Sequence, residues 1–255
     1  MNANELTPHR VGVIGGTGAS QLLPAIERCV VDTPWGAPSS ALAEVSIGQG
    51  APIEKAWMIA RHGHPHRIPP HRVNYRANIW ALKEAGVKHL IAINAVGGID
   101  PDFEVGDLVL VDQIIDYTWG RAHTFSDGAE HPLEHIEFAQ PFDGPTRTGL
   151  IRAARAGGVD LHLSGCYGAT QGPRLETAAE IQRLSKDGCD VVGMTGMPEV
   201  ALAREAGFDC ACLCVIANPA AGLSTERISM DALHRALEEG MKQVGRVLDH
   251  LEITV

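Results

Sequence analysis

Asn218 ends the apolar run Cys210-Ala-Cys-Leu-Cys-Val-Ile-Ala217 and is followed at once by Pro219 and two alanines. The run reads as a buried strand, so its last residue presents a carboxamide donor and acceptor on a rigid mount. A purine with oxygen at C6 offers N7 and O6 as acceptors to such a group, whereas a 6-aminopurine would suit a carboxylate better. If the chain handles purines, Asn218 reads the base. Glu176, in Gly172-Pro-Arg-Leu-Glu-Thr177, follows a strand and a turn. A carboxylate there could accept the N1–H of a 6-oxopurine; its ordinary alternative is an acid at a helix entry.

Three further segments could hold an anion. Gly15-Gly-Thr-Gly18 follows the apolar run 11–14, but Gln21 stands where a dinucleotide fingerprint needs glycine, and no Gly-Lys-Ser/Thr follows. What remains is a glycine turn that could bind an anion through backbone N–H groups and Thr17, or a tight turn with no ligand. In Arg61-His62-Gly-His64-Pro-His66-Arg67 the alternating histidines raise a metal site. Glycine and prolines argue instead for a loop, and Arg61 with His62 makes the better anion clamp, because guanidinium is a planar fork of donors. His64 and His66 then read as surface residues. Gly193-Met-Thr-Gly-Met-Pro-Glu199 sets Thr195 to bond a phosphate and Met194 to lie against a sugar; a helix start at Pro198 with core methionine is the plain alternative.

The elements that must position these residues alternate. Strands are expected at 11–14, 57–60, 89–94, 107–115, 165–170, 190–194 and 209–217. Helices are expected at 20–28, 74–85 (closed by Gly86), 177–186, 198–206 and 230–251. Strands alternating with helices imply an α/β fold with both sheet faces covered. The glycines and polar residues gather at C-terminal strand ends, the edge where open α/β sheets bind ligands. The long polar stretch 120–145 reads as a functional or subunit-contact loop. No internal repeat is visible, and the division is a tail over 1–10 and a single domain over 11–255.

With 255 residues, 45% of them hydrophobic, the chain can bury a full core. A net charge of −10 without a basic run argues against nucleic acid or an anionic membrane surface as partner. The opening Met1-Asn-Ala-Asn-Glu-Leu-Thr-Pro8 has no charged stretch leading into an apolar one, so a cytoplasmic protein is expected. Cys210, Cys212 and Cys214 alternate on a strand that is apolar on both faces. They read as core thiols rather than zinc ligands, which favour turn-borne C-x2-C spacings.

GGTG, VDTPWGAPS, ARHGH, VNYRANIWALKEAG, NAVGG, GPRLETAAE and GMTGMPEVALAREAG occur in this order from about residue 11 to beyond 230. Together they resemble the trimeric purine nucleoside phosphorylases, in particular the methylthioadenosine phosphorylase branch. The resemblance implies a single domain with a mixed, partly barrel-like β-sheet surrounded by helices. It implies cleavage of a purine nucleoside by inorganic phosphate, with no metal and no organic cofactor, and a homotrimer or a hexamer of two trimers. Matched by motif, phosphate would lie among Thr17, Arg61, His62, the Asn94–Ala95 turn and Thr195, with Met194 along the ribose. His135 matches a histidine lent to the neighbouring subunit's 5′ pocket. Met230 and Leu233 fall where the branch sets apolar residues against a methylthio group. His234 could instead bond a 5′-hydroxyl, or face solvent. Adenosine-type members of the branch carry Asp-x-Asp where Asn218-Pro-Ala220 stands and small hydroxyl residues at Glu176-Thr177. Glutamate with asparagine is the pattern of the inosine and guanosine phosphorylases. The expected substrate is therefore a 6-oxopurine nucleoside with a methylthio group at 5′, ahead of inosine and guanosine.

Overall fold

Strand β5, His89–Gly98, organises the sheet because its two halves have different neighbours. In the computed structural model, which describes residues 9–253 apart from 17, 49–52, 54, 127, 129–130 and 225–228, β1 (Val11–Gly15) lies parallel to the first half, Val11 opposite His89 and Gly15 opposite Ile93. β10 (Val191–Gly193) lies antiparallel to the end, with Val192 opposite Gly97 and Val191 opposite Gly98. Along the other edge β11 (Asp209–Pro219) runs parallel to the whole strand. Between β1 and β10 one edge of β5 is left open at residues 94–96, and there Ala95 is exposed between buried neighbours. Diverging strands make the crevice in which α/β sheets hold ligands.

Two wings extend from this centre. On one side β4 (Lys55–Ala60) pairs in parallel with β1, then β3 (Leu42–Ser46) and β2 (Ala25–Cys29) follow antiparallel. On the other, β9 (Cys166–Ala169) and β7 (Gln113–Asp116) continue parallel to β10. β11 also pairs with β6 (Leu108–Val111), which takes the short β8 (Leu161–His162). The 11-stranded sheet is mixed, as expected, and is not a closed barrel.

β11 is buried on both faces. Cys210, Cys212, Cys214 and Ile216 enter one core with α2 (Tyr75–Glu84) and α5 (Gly196–Glu205). Ala211, Leu213, Val215 and Ala217 enter a second core with α1 (Ala19–Leu22), α3 (Pro145–Ala156) and α6 (Met230–Leu248). The thiols are thus core residues, and truncating a β11 side chain such as the fully buried Leu213 to alanine should cost about 2–5 kcal/mol. α4 (Ala178–Lys186) begins in a capping box between Thr177 and Glu180, which fixes the chain just after Glu176.

Several elements differ from the sequence expectation. The helix expected over 20–28 stops at Leu22, and residues 25–29 form β2; Pro24 cannot continue a helix and has no N–H to give one. The strand expected over 107–115 breaks at Asp112 into β6 and β7, which join different neighbours. Asn94–Ala95 is no turn but the middle of β5. β3, β8 and α3 were not anticipated, although Pro145 at the first position of α3 is a usual helix-start signal. His9 and Arg10, expected in the tail, already contact the sheet: His9 bonds Glu44 at 2.7 Å and lies tilted against Trp57, and the Arg10 carbonyl accepts from His89 N. Among the described residues no helix is long and apolar enough to cross a membrane.

Candidate active site

A cavity of about 520 Å³ opens at the fork of β5. Gly16, Arg61, His62, Ala95, Met194, Thr195, Glu176, Asn218 and Leu233 all line it, so segments remote in sequence converge on one space.

At one end Gly16 follows β1 and Arg61 follows β4. A Cβ on Gly16 would stand 3.3 Å from Arg61 Nη1, so glycine is what lets the guanidinium approach the turn. Arg61 is 1% exposed and its donors are largely committed. Nε and Nη2 donate to Glu199 Oε2 and Oε1, both at 2.7 Å, while Nη2 also reaches Ile14 O and Nη1 reaches Ile93 O. Burial opposes the guanidinium charge, and the Glu199 carboxylate more than offsets it, holding Arg61 above its ordinary range. The fork expected to clamp an anion therefore clamps Glu199, and one N–H on Nη1 remains for the cavity.

His62 beside it is neutral. Burial, then the Arg61 charge, push its pKa down to about 4. Its Nδ1 lies 2.8 Å from the Ile68 carbonyl, which can only accept, so Nδ1 carries the proton and Nε2 presents a lone pair. His66 is exposed, as expected, but it also stacks flat on His62, centroids 4.5 Å apart, and lines the cavity.

Thr195 is buried behind Met194. Its N–H bonds the Tyr167 hydroxyl at 3.3 Å, and its own hydroxyl donates to Asn94 Oδ1 at 3.3 Å. Asn94 is 1% exposed and does not line the cavity. Its Nδ2 donates to Cys212 Sγ, so it supports Thr195 from behind while its neighbour Ala95 forms the surface. Alternation along β5 makes that separation: successive side chains point to opposite faces. Thr17 lies outside the described residues.

At the other end β11 carries Ala217 and Asn218, and both line the cavity. In an unbroken strand they would face opposite ways. The register with β5 slips between Ile216 and Asn218, and this bulge turns Asn218 toward the crevice. Asn218 Nδ2 donates to Pro219 O at 2.6 Å, and its other N–H and Oδ1 have no partner among the described residues. Glu176 is fixed by the Thr170 hydroxyl, which donates to Oε1 at 2.6 Å. A Cβ on Gly222 would clash with Ala178, which sets the chain beyond Asn218 against the helix that follows Glu176.

Met194 lies along the wall, closed over Gly172 (φ +57°), where a Cβ would sit 2.4 Å from its sulfur. Leu233 and Leu237, one turn apart on α6, give the cavity an apolar side. His234 is exposed and does not line it, since one helical residue rotates the side chain by about 100°. The side chain of Met230 is outside what is described. His135 is exposed on the 120–145 loop and does not line its own chain's cavity. Sequence reasoning missed Glu199, Thr170 and Leu237. Glu199 had a signal, an acid inside an otherwise apolar helix turn.

The chain matches the phosphorylase superfamily over residues 10–251, and it belongs to that family. It is 50% identical over 238 residues to a probable S-methyl-5′-thioinosine phosphorylase of Pseudomonas syringae pv. tomato, covering 92% of this chain and 95% of the relative. It is 40% identical over 245 residues to a 6-oxopurine nucleoside phosphorylase of Pyrococcus furiosus, covering 94% and 90%. Among solved structures, the methylthioadenosine phosphorylase of Schistosoma mansoni in complex with adenine superposes with a TM-score of 0.86 at 34% identity, covering 94% of this chain and 89% of that one. The chain is a purine nucleoside phosphorylase by family.

Proposed function

We propose that this protein cleaves S-methyl-5′-thioinosine with inorganic phosphate, giving hypoxanthine and S-methyl-5-thioribose 1-phosphate. The observation that carries the reading is a single cavity joining Arg61, His62 and Thr195 to Asn218 and Glu176, with Leu233 and Leu237 along one side. A phosphate oxygen attacks C1′ while the bond from C1′ to the purine nitrogen breaks; the electron pair leaves with the base, which then takes a proton. Phosphate binds against the free Nη1–H of Arg61 and the backbone of Gly16 and Ala95, and the Thr195 hydroxyl turns from Asn94 Oδ1 to donate to it. Neutral His62 accepts a hydrogen bond at Nε2 from the remaining P–OH of the phosphate. The departing purine gathers negative charge at N7 and O6, and the Asn218 amide stabilises it most as the bond breaks. Glu176 Oε2 accepts N1–H. Asn218 and Glu176 are thus the groups that act on the base, and no metal or organic cofactor has a step to perform.

The 5′ substituent follows from α6. Leu233 and Leu237 suit a methylthio group, and His234, turned to solvent, has no route to a 5′-hydroxyl within its own chain. The name carried by the relative at 50% identity supports the same substrate. We infer a homotrimer in which His135 reaches a neighbouring subunit. In support, His135 is exposed, and Leu133 on the same stretch and Trp119 just before it are 72% and 71% exposed.

The test is release of base from methylthioinosine, methylthioadenosine, inosine and guanosine, with and without phosphate. Phosphate-dependent turnover led by methylthioinosine is expected. Inosine and guanosine leading would keep the base reading and discard the apolar 5′ pocket. Methylthioadenosine leading would overturn the roles of Asn218 and Glu176.

A further inference from the structure

Arg121 bridges the Thr170–Gln171 backbone to that of Met194 and Met197 and has no carboxylate partner among the described ion pairs. All its hydrogen-bonding capacity goes to neutral acceptors. Nη2 donates to the carbonyls of Gln171 at 2.9 Å and Thr170 at 3.3 Å, and Nε donates to Gln171 Oε1. Nη1 faces the carbonyls of Met194 at 2.8 Å and Met197 at 2.6 Å, with the Tyr75 hydroxyl at 3.2 Å. One side chain thus ties the end of β9, from which the chain runs to Glu176, to the backbone on both sides of Thr195. The guanidinium is half-buried, and besides these carbonyls it lies over the Tyr75 ring at 5.6 Å, so its whole fork of donors is used to join two loops.

What the clamp holds in place is Thr170. Its N–H bonds the Gly193 carbonyl at 2.8 Å. Its hydroxyl has one proton and two acceptors in range: Glu176 Oε1 at 2.6 Å and Gly193 O at 3.3 Å. The shorter contact, to an ionisable oxygen, takes the proton. Oε1 is then committed, and Oε2 accepts no hydrogen bond from the described residues. A carboxylate with one oxygen tied and the other free has a single orientation toward the cavity it lines.

We propose that Thr170 and Arg121 are positioning residues that set base discrimination: Arg121 fixes the backbone at Thr170, and the Thr170 hydroxyl orients Glu176 so that Oε2 receives the ring N–H of a 6-oxopurine. A 6-aminopurine has no proton at that ring nitrogen and would set a lone pair against the fixed carboxylate. Discrimination depends on the carboxylate being unable to swing aside, and the hydroxyl supplies that restraint. The inference rests on the reading of the cavity as a purine nucleoside site.

The test compares Thr170→Val, Thr170→Ser and Arg121→Gln with the wild type. Its readouts are kcat and KM for methylthioinosine, methylthioadenosine and phosphate, with the thermal midpoint followed in parallel. Valine keeps the shape and removes the donor, so the preference for the 6-oxo nucleoside should fall about tenfold. The nucleoside KM should rise while the phosphate KM holds, and serine should restore the preference. Arg121→Gln should lower the preference too, and the double variant Thr170→Val/Arg121→Gln should be no worse than the poorer single one, because both act through Glu176. A wild-type preference retained in Thr170→Val, or a loss that serine does not restore, overturns the inference. A wild type that releases no base with phosphate overturns the functional reading itself, whatever the variants do.

Discussion

Arg61 and Glu199 form a two-pronged ion pair beneath the cavity floor, Nε to Oε2 and Nη2 to Oε1 each at 2.7 Å, with neither side chain more than 2% exposed. β4 delivers the arginine and α5 the glutamate, so the pair also bolts a helix to the sheet. Its charge is spent inside the protein. An arriving phosphate meets one N–H of a neutralised guanidinium rather than an open cation.

The pair predicts a separation of stability from phosphate use. Arg61→Met leaves Glu199 as an unpaired buried anion, and Glu199→Met leaves Arg61 as an unpaired buried cation; each should cost about 3–5 kcal/mol. The double variant Arg61→Met/Glu199→Met removes both charges and should recover most of that loss, since well-packed apolar replacements are often neutral. It should still show a phosphate kcat/KM reduced about 10²-fold, because the Nη1 donor is gone. Denaturant melts with phosphate titrations check both halves. A double variant with normal phosphate kinetics would remove Arg61 from the phosphate site.

Asn218 predicts which nucleosides are accepted. Asn218→Asp replaces the amide donor by an acceptor, so N7 and O6 of a 6-oxopurine meet a like partner. Turnover of methylthioinosine should fall about 10²-fold or more, while methylthioadenosine, whose exocyclic amine donates, should gain. The ratio of the two kcat/KM values is the measurement, because a general loss of activity would leave it unchanged. An unaltered ratio would show that Asn218 does not read the base.

The strands whose ends line the cavity were legible in the sequence because continuous apolar runs ending in glycine or polar residues have few other readings. β1, β4, β5 and β11 were found this way, and with them Arg61, Asn218 and the turn at Gly16. What could not be read was set by pairing. Asn94 and Ala95 look alike as a strand end, yet the passage of β5 from β1 to β10 buries one and exposes the other. The bulge that turns Asn218 inward depends on register with β5, which no local pattern encodes. Likewise Thr170 is an ordinary residue until Glu176, across a turn, is brought to 2.6 Å, and the acid inside the α5 turn, Glu199, shows its partner only once Arg61 stands at 2.7 Å.

Leu233 predicts the 5′ preference. The side chain is half-buried against the cavity, so Leu233→Ala removes apolar contact without emptying the core. Preference for methylthioinosine over inosine should fall by about tenfold, the scale of a small apolar pocket change. His234→Ala, on the adjacent exposed position, should leave that preference as it was. Parallel kcat/KM values for the two nucleosides decide it, and the reverse pattern would move the 5′ group to the histidine.

His62 predicts an acid sensitivity of defined sign. Its folded pKa is about 4 against an ordinary 6.5, because burial and then Arg61 disfavour the imidazolium. Between those values the unfolded chain binds a proton that the folded chain does not. Stability from this group is therefore complete above about pH 6.5, declines as pH falls toward 4, and is flat below. His66, stacked on it and also lowered by burial, adds in the same direction. His62→Gln removes the titrating group while keeping a side chain able to donate to Ile68 O, so its melting temperature should fall less between pH 6.5 and 4 than that of the wild type. Phosphate should reduce the effect in the wild type, since a bound anion favours the imidazolium and draws the folded pKa upward. Melts across that window, with and without phosphate, test both statements. Identical slopes for wild type and His62→Gln would mean that His62 is not held neutral in the folded protein.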